Sequence, residues 1–230
     1  MPLVALAPGG TMCTVARNWG MRGSNVGYAE RLLASALSGH ARWTARPTLR
    51  VRDDTGGDRV GFMFGAGLVA SFFDVYYASP RPGYAAAAAI AARVFAGSFV
   101  GAPLAKRVLT PSAAVVHVDG VVQASRTWSL LLASVVRDVG LHMLVAHRAG
   151  ERSDRFHVVA SALSPRALGP QLPRVLTGRP LRGKNHVDAM ARELRVELTG
   201  DRGTYVLDGE VLRAREVWVS TGPAVRVVEP

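Results

Sequence analysis

Two carboxylates near the C-terminus have the spacing to do chemistry. Asp208 and Glu210 flank Gly209 in the run Thr204-Tyr205-Val206-Leu207-Asp208-Gly209-Glu210, with Val211, Val217 and Val219 beyond. A carboxylate held on a rigid turn can take a proton from a hydroxyl or hold a metal ion. Alternate residues of an extended segment point the same way, so both carboxylates are expected to face one cleft. The bland alternative is a hairpin tip, because Asp-Gly supplies the positive φ that a tight turn favours. At the other end, Gly9, Gly10 and Thr11 follow the apolar run Leu3 to Ala7 and open a helix. Glycines let a backbone approach a phosphate, and the N–H groups of a helix start favour an anion. The alternative there is a turn with a threonine cap. Gly65 and Gly67 lie between a short apolar strand, Val60 to Phe64, and a helix, Leu68 to Tyr77. They are either part of a substrate cleft or a plain strand-to-helix turn.

Taken together, these stretches resemble the diacylglycerol kinase catalytic family, bacterial lipid kinases related to sphingosine kinases and more distantly to NAD kinases. Pro8 to Gly20 is similar to that family's second glycine motif, usually Pro-x-Gly-Thr-x-Asn before an Ala-Arg helix. Tyr205 to Pro223 is similar to its Asp-Gly-Glu motif with the trailing Gly-Pro strand, and Phe62 to Gly67 to its strand-Gly-x-Gly-helix unit. The resemblance implies ATP and Mg²⁺ as cofactors. It makes Glu210 the general base, with Asp208 orienting it or binding the metal. It places Gly9, Gly10 and Thr11 at the nucleotide, and Gly65 and Gly67 at the lipid. The chain departs from the family at Cys13, where the motif has Asn, and a thiol poorly replaces an amide. The family's first motif, Gly-Gly-Asp-Gly-Thr, would lie upstream of Pro8. Asp54-Thr55-Gly56-Gly57-Asp58 does not match it. The resemblance therefore implies the latter part of a lipid kinase, without most of its nucleotide-binding lobe.

The 230 residues are 49% hydrophobic, enough for a real core. Twenty-eight Lys and Arg against 17 Asp and Glu give +11, nearly all of it from Arg. Nucleic acid, an anionic membrane and phosphate ligands would each suit this charge, as would a plain coding bias toward Arg. No basic tract or nucleic-acid motif is present, so nucleic acid is not expected as a partner. The expected partners are a lipid substrate and, peripherally, the anionic inner face of the membrane, with the protein in the cytoplasm. The single cysteine, Cys13, excludes an intrachain disulfide and fits a reducing compartment. No histidine near it in sequence could activate it as a nucleophile. The N-terminus lacks the pattern of a signal peptide. The Ala-rich tract Tyr84 to Val100 falls short of the roughly 20 apolar residues of a spanning helix. The six histidines show no zinc-binding spacing, and no Gly-x-Ser-x-Gly elbow supports a serine hydrolase.

The elements that must position these residues follow from periodicity. Thr11 to Trp19 and Ser24 to Leu37 are expected helices, the second with Leu32, Leu33, Ala36 and Leu37 at helical spacing. From Ala41 to Arg52 the period becomes two, interrupted at Pro47. Tyr84 to Phe99 is expected as a helix, either buried or, by resemblance, a lid over an acyl chain. Strands are expected at Thr127 to Val136, Leu141 to Ala146, Phe156 to Ala162, Asn185 to Met190, Glu193 to Leu198, Gly203 to Leu207 and Val211 to Val219. A broken helix is expected over Ser164 to Thr177. Asp119-Gly120 is a second hairpin signal. Short, regularly spaced strands argue for an antiparallel sandwich.

The expected fold is α+β: a remnant of an α/β nucleotide-binding lobe over residues 1–40, a mainly antiparallel β-sandwich domain with inserted helices over 41–220, and a return strand over 221–230. Leu3 to Ala7 would expose unpaired strand edges, which predicts association, for example as a homodimer. The expected function is ATP-dependent phosphorylation of a lipid hydroxyl, of a diacylglycerol or a sphingoid base, by a truncated chain, with its activity in the absence of the upstream lobe left open. The alternative is a non-catalytic lipid-binding or accessory module. NAD kinase activity is a weaker enzyme alternative, because the acidic nucleotide motif of that family is not seen.

Overall fold

The computed structural model describes residues 3–6, 13–21, 25–39, 42–199 and 203–229. The chain begins with β1 (Leu3–Val4), α1 (Thr14–Asn18), α2 (Asn25–Leu37) and β2 (Arg42–Arg46). Next come β3 (Leu49–Asp53), β4 (Asp58–Gly61), β5 (Met63–Gly67) and three helices, α3 (Leu68–Tyr77), α4 (Tyr84–Val100) and α5 (Pro103–Leu109). The middle holds β6 (Ser112–Val118), β7 (Val121–Val122), β8 (Thr127–Trp128), β9 (Leu130–Ser134) and β10 (Phe156–Ser161). Then follow α6 (Pro165–Leu168), a 3-10 turn at Gly169–Gln171, and α7 (Leu172–Leu176). Six strands close the chain: β11 (His186–Ala191), β12 (Glu193–Leu198), β13 (Gly203–Leu207), β14 (Glu210–Ala214), β15 (Glu216–Thr221) and β16 (Val225–Glu229).

Two antiparallel sheets face each other across a core of Leu49, Val51, Phe64, Trp128, Phe156, Leu194 and Tyr205. One runs β11-β10-β9-β5-β13-β14; the other runs β4-β3-β15-β12-β6-β7, with β8 beside β6. Helices α3 to α7 cover the outer face of the first sheet through a second core that includes Tyr76, Ile90, Val108 and Leu132. This is an α+β architecture. It explains why β9 and β10 read as unbroken apolar runs: with helices on one face and the second sheet on the other, every one of their residues is buried. By contrast β3 keeps the strict alternation of a one-sided strand, Leu49, Val51 and Asp53 inward, Arg50 and Arg52 outward.

A small third sheet, β1-β16-β2, carries α1 and α2. Here Leu3–Val4 is not left without neighbours. The C-terminal strand returns parallel to it, with Leu3 opposite Arg226 and Val4 opposite Val227.

Three expected strands are divided. The chain passes from one sheet of the sandwich to the other at single-residue corners: Phe62 between β4 and β5, Arg192 between β11 and β12, and Arg215 between β14 and β15. Apolar content alone does not mark such corners, so Val60 to Phe64 and Val211 to Val219 each break in two. Thr127 to Val136 breaks at Ser129, whose carbonyl accepts the N–H of Leu68 at 2.8 Å. Leu141 to Ala146 is not a strand. Leu141 and His142 have φ of 54° and 58°, and the N–H of Met143 closes a turn onto Gly140 at 2.9 Å. The apolar side chains of that turn roof a cavity instead of pairing in a ladder.

Candidate functional site

Asp208 sits in the two-residue turn joining β13 to β14, with φ of 49°, and Gly209 follows at 95°. Both values are positive, as the hairpin signal requires. The Asp208 carboxylate accepts the N–H of Phe62 at 3.0 Å and of Met63 at 2.9 Å, and its own N–H donates to the Met63 carbonyl at 3.0 Å. The residue is exposed, yet local burial of the carboxyl group pushes its pKa up to about 6 against the pull of those two N–H donors. A carboxylate with that pKa is a competent proton acceptor near neutral pH. The hydroxyl of Tyr77, at the end of α3, donates to the Gly209 carbonyl at 2.7 Å and pins the turn beneath the helix.

Asp208 lines a depression of about 510 Å³ whose other wall is Leu6 and Cys13 to Ala16. Next to it lies an almost wholly apolar cavity of about 200 Å³, bounded by α3, α4, α5, the 139–145 turn and α7. Val69, Phe73, Leu132 and Val139 line both. A polar mouth holding one carboxylate thus opens beside an apolar pocket, the arrangement that suits a ligand with a polar head and a hydrocarbon tail. Asn18 fixes the α1 wall. Its amide nitrogen donates to the carbonyls of Thr14 at 2.9 Å and Asp138 at 2.7 Å, and its oxygen accepts the N–H of Arg137 at 3.1 Å and Asp138 at 2.9 Å.

Glu210 stands elsewhere. It pairs with Leu207 across the hairpin and so shares the face of Leu207, which packs into the sandwich core, while Val206 faces the depression. The alternation that would align Asp208 with Glu210 does not run through a two-residue turn, which pairs its flanking residues instead. Gly65 lies in β5 on the floor of the depression, opposite Val206 and Leu132. A Cβ there would come within 2.6 Å of Val69, so its bareness lets α3 pack onto the sheet. Gly67 has φ of 66°, and a Cβ would meet the Ser129 carbonyl at 2.8 Å; it makes the strand-to-helix turn. Gly9, Gly10 and Thr11 lie outside the described residues. Cys13 precedes α1 with φ of 47°, on the wall facing Asp208.

Among the described residues this depression presents no built site for a Mg²⁺ ion. Asp208 is its one carboxylate among the described residues, and both oxygens already accept N–H groups. Elsewhere, His147, His157 and Asp188 bring ligand atoms within 4.8 Å of one another. The Nε2 of His157 is 2.9 Å from Asp188, while its Nδ1 faces the N–H of Arg148 at 3.4 Å. That places the ring proton on Nε2, directed at the carboxylate. A metal-bound imidazole has the opposite polarity, donating from its far nitrogen. Burial pushes Asp188 up, but His157, His147 and Arg148 together hold it below the usual carboxylate range.

Sequence reasoning missed Asn18, Tyr77 and Val139. Asn18 carries a weak signal, an amide in the last turn of a short helix. The other two carry none, because only the packing of α3 and the 139–145 turn brings them to the depression.

No protein-family model matches the chain, and no curated protein matches it. Solved structures share its fold. A candidate diacylglycerol kinase from Bacillus anthracis str. Sterne superposes with a TM-score of 0.66 at 14% identity, spanning 100% of this chain and 68% of that one. Two further structures from the same organism, one described as a diacylglycerol kinase and one as a candidate for that activity, superpose with TM-scores of 0.58 and 0.63 at 11% and 12% identity. Both span all of this chain, and 67% and 70% of their own length. The chain spans about two thirds of the length of these proteins and shares its fold with that part of them.

Proposed function

We propose that this chain is kinase-like and transfers a phosphoryl group from ATP to the hydroxyl of a lipid of the diacylglycerol or sphingoid class. One observation carries the proposal: the depression holding Asp208 shares a wall with an apolar cavity. A lipid would place its tail against Phe73 and Leu132 and its hydroxyl beside Asp208. The shared fold supports nucleotide use in general. The phosphoryl donor would enter on the side of Leu6 and Cys13 to Ala16.

In this proposal Asp208 accepts the hydroxyl proton as the oxygen attacks, and its two backbone N–H partners hold the carboxylate in place. Glu210, on the other face of the hairpin, acts on the turn from outside the depression. Phosphoryl transfer rests largely on positioning and charge neutralisation, so what this chain contributes is a dry, shaped acceptor site. Purified protein with labelled ATP, Mg²⁺ and diacylglycerol or sphingosine in mixed micelles should give labelled lipid, and Asp208→Asn should lose the label while Glu210→Gln keeps most of it. No label with any lipid, or full activity in Asp208→Asn, would sink the proposal.

A second reading, a lipid-binding module without catalysis, is favoured by the two backbone N–H groups that already engage the Asp208 carboxylate. It predicts lipid uptake with no calorimetric signal for ATP.

A further inference from the structure

The helical layer over the apolar cavity differs in charge from the rest of the molecule. Apart from Asp74 on α3, residues 68–118 and 156–187 contain no Asp or Glu, but four Lys or Arg in the first segment and five in the second. Among the described residues none of these nine makes an ion pair. On the sandwich, by contrast, Arg50 pairs with Asp58, Arg59 with Asp53, Arg192 with Asp154 and Arg195 with Glu216.

Within that layer, α4 lacks the polar stripe of a helix on a water-facing surface. Its outward residues are Tyr84, Ala85, Ala89, Ala92, Ala96, Phe99 and Val100, with Arg93 as the single charge. Phe99 is 58% and Val100 79% exposed. They stand at the elbow where α5 leaves α4 at 103°. Two cations converge on the elbow: a Cβ on Gly101 would lie 4.0 Å from Nζ of Lys106 and 4.0 Å from an Nη of Arg166. The elbow also leads inward. The ring of Phe99 meets Phe95 edge to face at 5.2 Å, and Phe95 lines the apolar cavity.

We infer that the α4–α5 elbow docks on an anionic lipid bilayer, with Phe99 and Val100 entering the acyl boundary and Lys106 and Arg166 meeting lipid phosphates. Each feature argues for a bilayer over other polyanions. Cations alone would suit a nucleic acid, but two large apolar side chains held out beside them gain nothing in a phosphate groove and are stabilised at a membrane interface. The position of Phe95 and Phe99 gives a docked lipid a short apolar route to the cavity. Docking is independent of phosphoryl transfer and needs no nucleotide.

The test is flotation of the full chain with vesicles, without ATP, on phosphatidylcholine alone and with 30 mol% phosphatidylglycerol added. The expected result is binding to the anionic vesicles only. Lys106→Glu with Arg166→Glu should weaken that binding by about tenfold or more, since each basic residue near the surface contributes several-fold. Arg126→Glu, an exposed cation in the loop between β7 and β8, should change it less than about threefold. Val100→Glu, at a position too exposed to disturb folding, should also weaken binding. A Phe99→Trp variant should be quenched by brominated lipids more than the parent. Equal binding by parent and elbow variants, or no extra quenching of Phe99→Trp, would overturn the inference. Binding to single-stranded DNA but not to vesicles, lost in the same variants, would overturn it in favour of nucleic acid. Vesicle binding with no kinase activity would leave docking standing and remove only the catalytic proposal.

Discussion

Two hairpins in this molecule are built alike and set in different surroundings. At β13–β14, Asp208 and Gly209 have φ of 49° and 95°; at β6–β7, Asp119 and Gly120 have 47° and 80°. The Asp119 carboxylate accepts the N–H groups of Arg192 at 2.8 Å and Glu193 at 2.9 Å, and its N–H donates to the Glu193 carbonyl at 3.0 Å. Residue for residue this repeats what Asp208 does with Phe62 and Met63. Both aspartates latch a corner where the chain changes sheets. Asp54 does the same at the third corner, accepting the N–H of Arg215 at 2.9 Å and donating its own to the Glu216 carbonyl at 3.2 Å. The Asp-Gly motif is thus an architectural device of this sandwich, and by itself it marks no site. What sets Asp208 apart is its neighbourhood. Asp119 has Arg155 at 3.5 Å and open solvent, whereas Asp208 lies under Phe73 and Tyr77 at the mouth of an apolar cavity.

The largest expected effect tests whether that neighbourhood does chemistry. Asp208→Asn keeps an oxygen to accept an N–H but removes the base. Lipid phosphorylation should fall by about 100-fold or more, the scale of general-base catalysis. Asp119→Asn should leave the rate within about twofold. Equal losses in both variants would mean that Asp208 acts only through the fold.

Removal of the latches should make the three aspartates look alike. Truncation to Ala at Asp208, Asp119 or Asp54 strands backbone N–H groups and should cost about 2 kcal/mol each. In a chain of this size that lowers Tm by about 4–8 °C. Thermal unfolding followed by circular dichroism would show it. A Tm unchanged at one corner would show that water replaces the carboxylate there, and the parallel among the corners would fail.

The sequence carried the sandwich, every helix except α5, and both Asp-Gly turns, because each is written in local periodicity or in residues that tolerate positive φ. β12 and α3 lie where alternation and the glycine turn put them. It did not carry the corners, since Phe62 sits inside an apolar run and Arg215 between two apolar stretches that read as one strand. Nor did it carry the division of labour between Asp208 and Glu210. Spacing places them two apart, but the turn between them sends one to the depression and the other to the opposite face. The walls of the depression come from α1, α3, β5 and the 139–145 turn, and no local pattern announces that these meet.

Glycine substitutions sharpen the comparison at a smaller scale. Gly209→Ala and Gly120→Ala both force a side chain into the left-handed region, at about 1 kcal/mol each. A Cβ on Gly120 meets nothing within 4 Å, and one on Gly209 meets Phe73 only at 3.7 Å. Packing therefore adds little at either, and the two losses should match within a few tenths of a kcal/mol in denaturant titrations. A much larger loss at Gly209 would mean that α3 bears on the turn more tightly than these distances allow.

The smallest effect is the most specific to the Asp208 surroundings. Its carboxyl has a folded pKa of about 6, raised by burial, against a value near 4 in the unfolded chain. Between those values the folded protein holds more protons than the unfolded one. Its contribution to stability therefore declines as pH rises from about 4 to 6 and is constant above that. Solvent contact at this exposed turn screens the effect, so the change in Tm should be under about 2 °C. Asp208→Asn cannot titrate, so the Tm of the variant minus that of the parent should rise across this window. A flat difference for Asp208→Asn would mean that its two N–H partners outweigh its burial. The chemical distinction between the two hairpins would then vanish, leaving two copies of one latch.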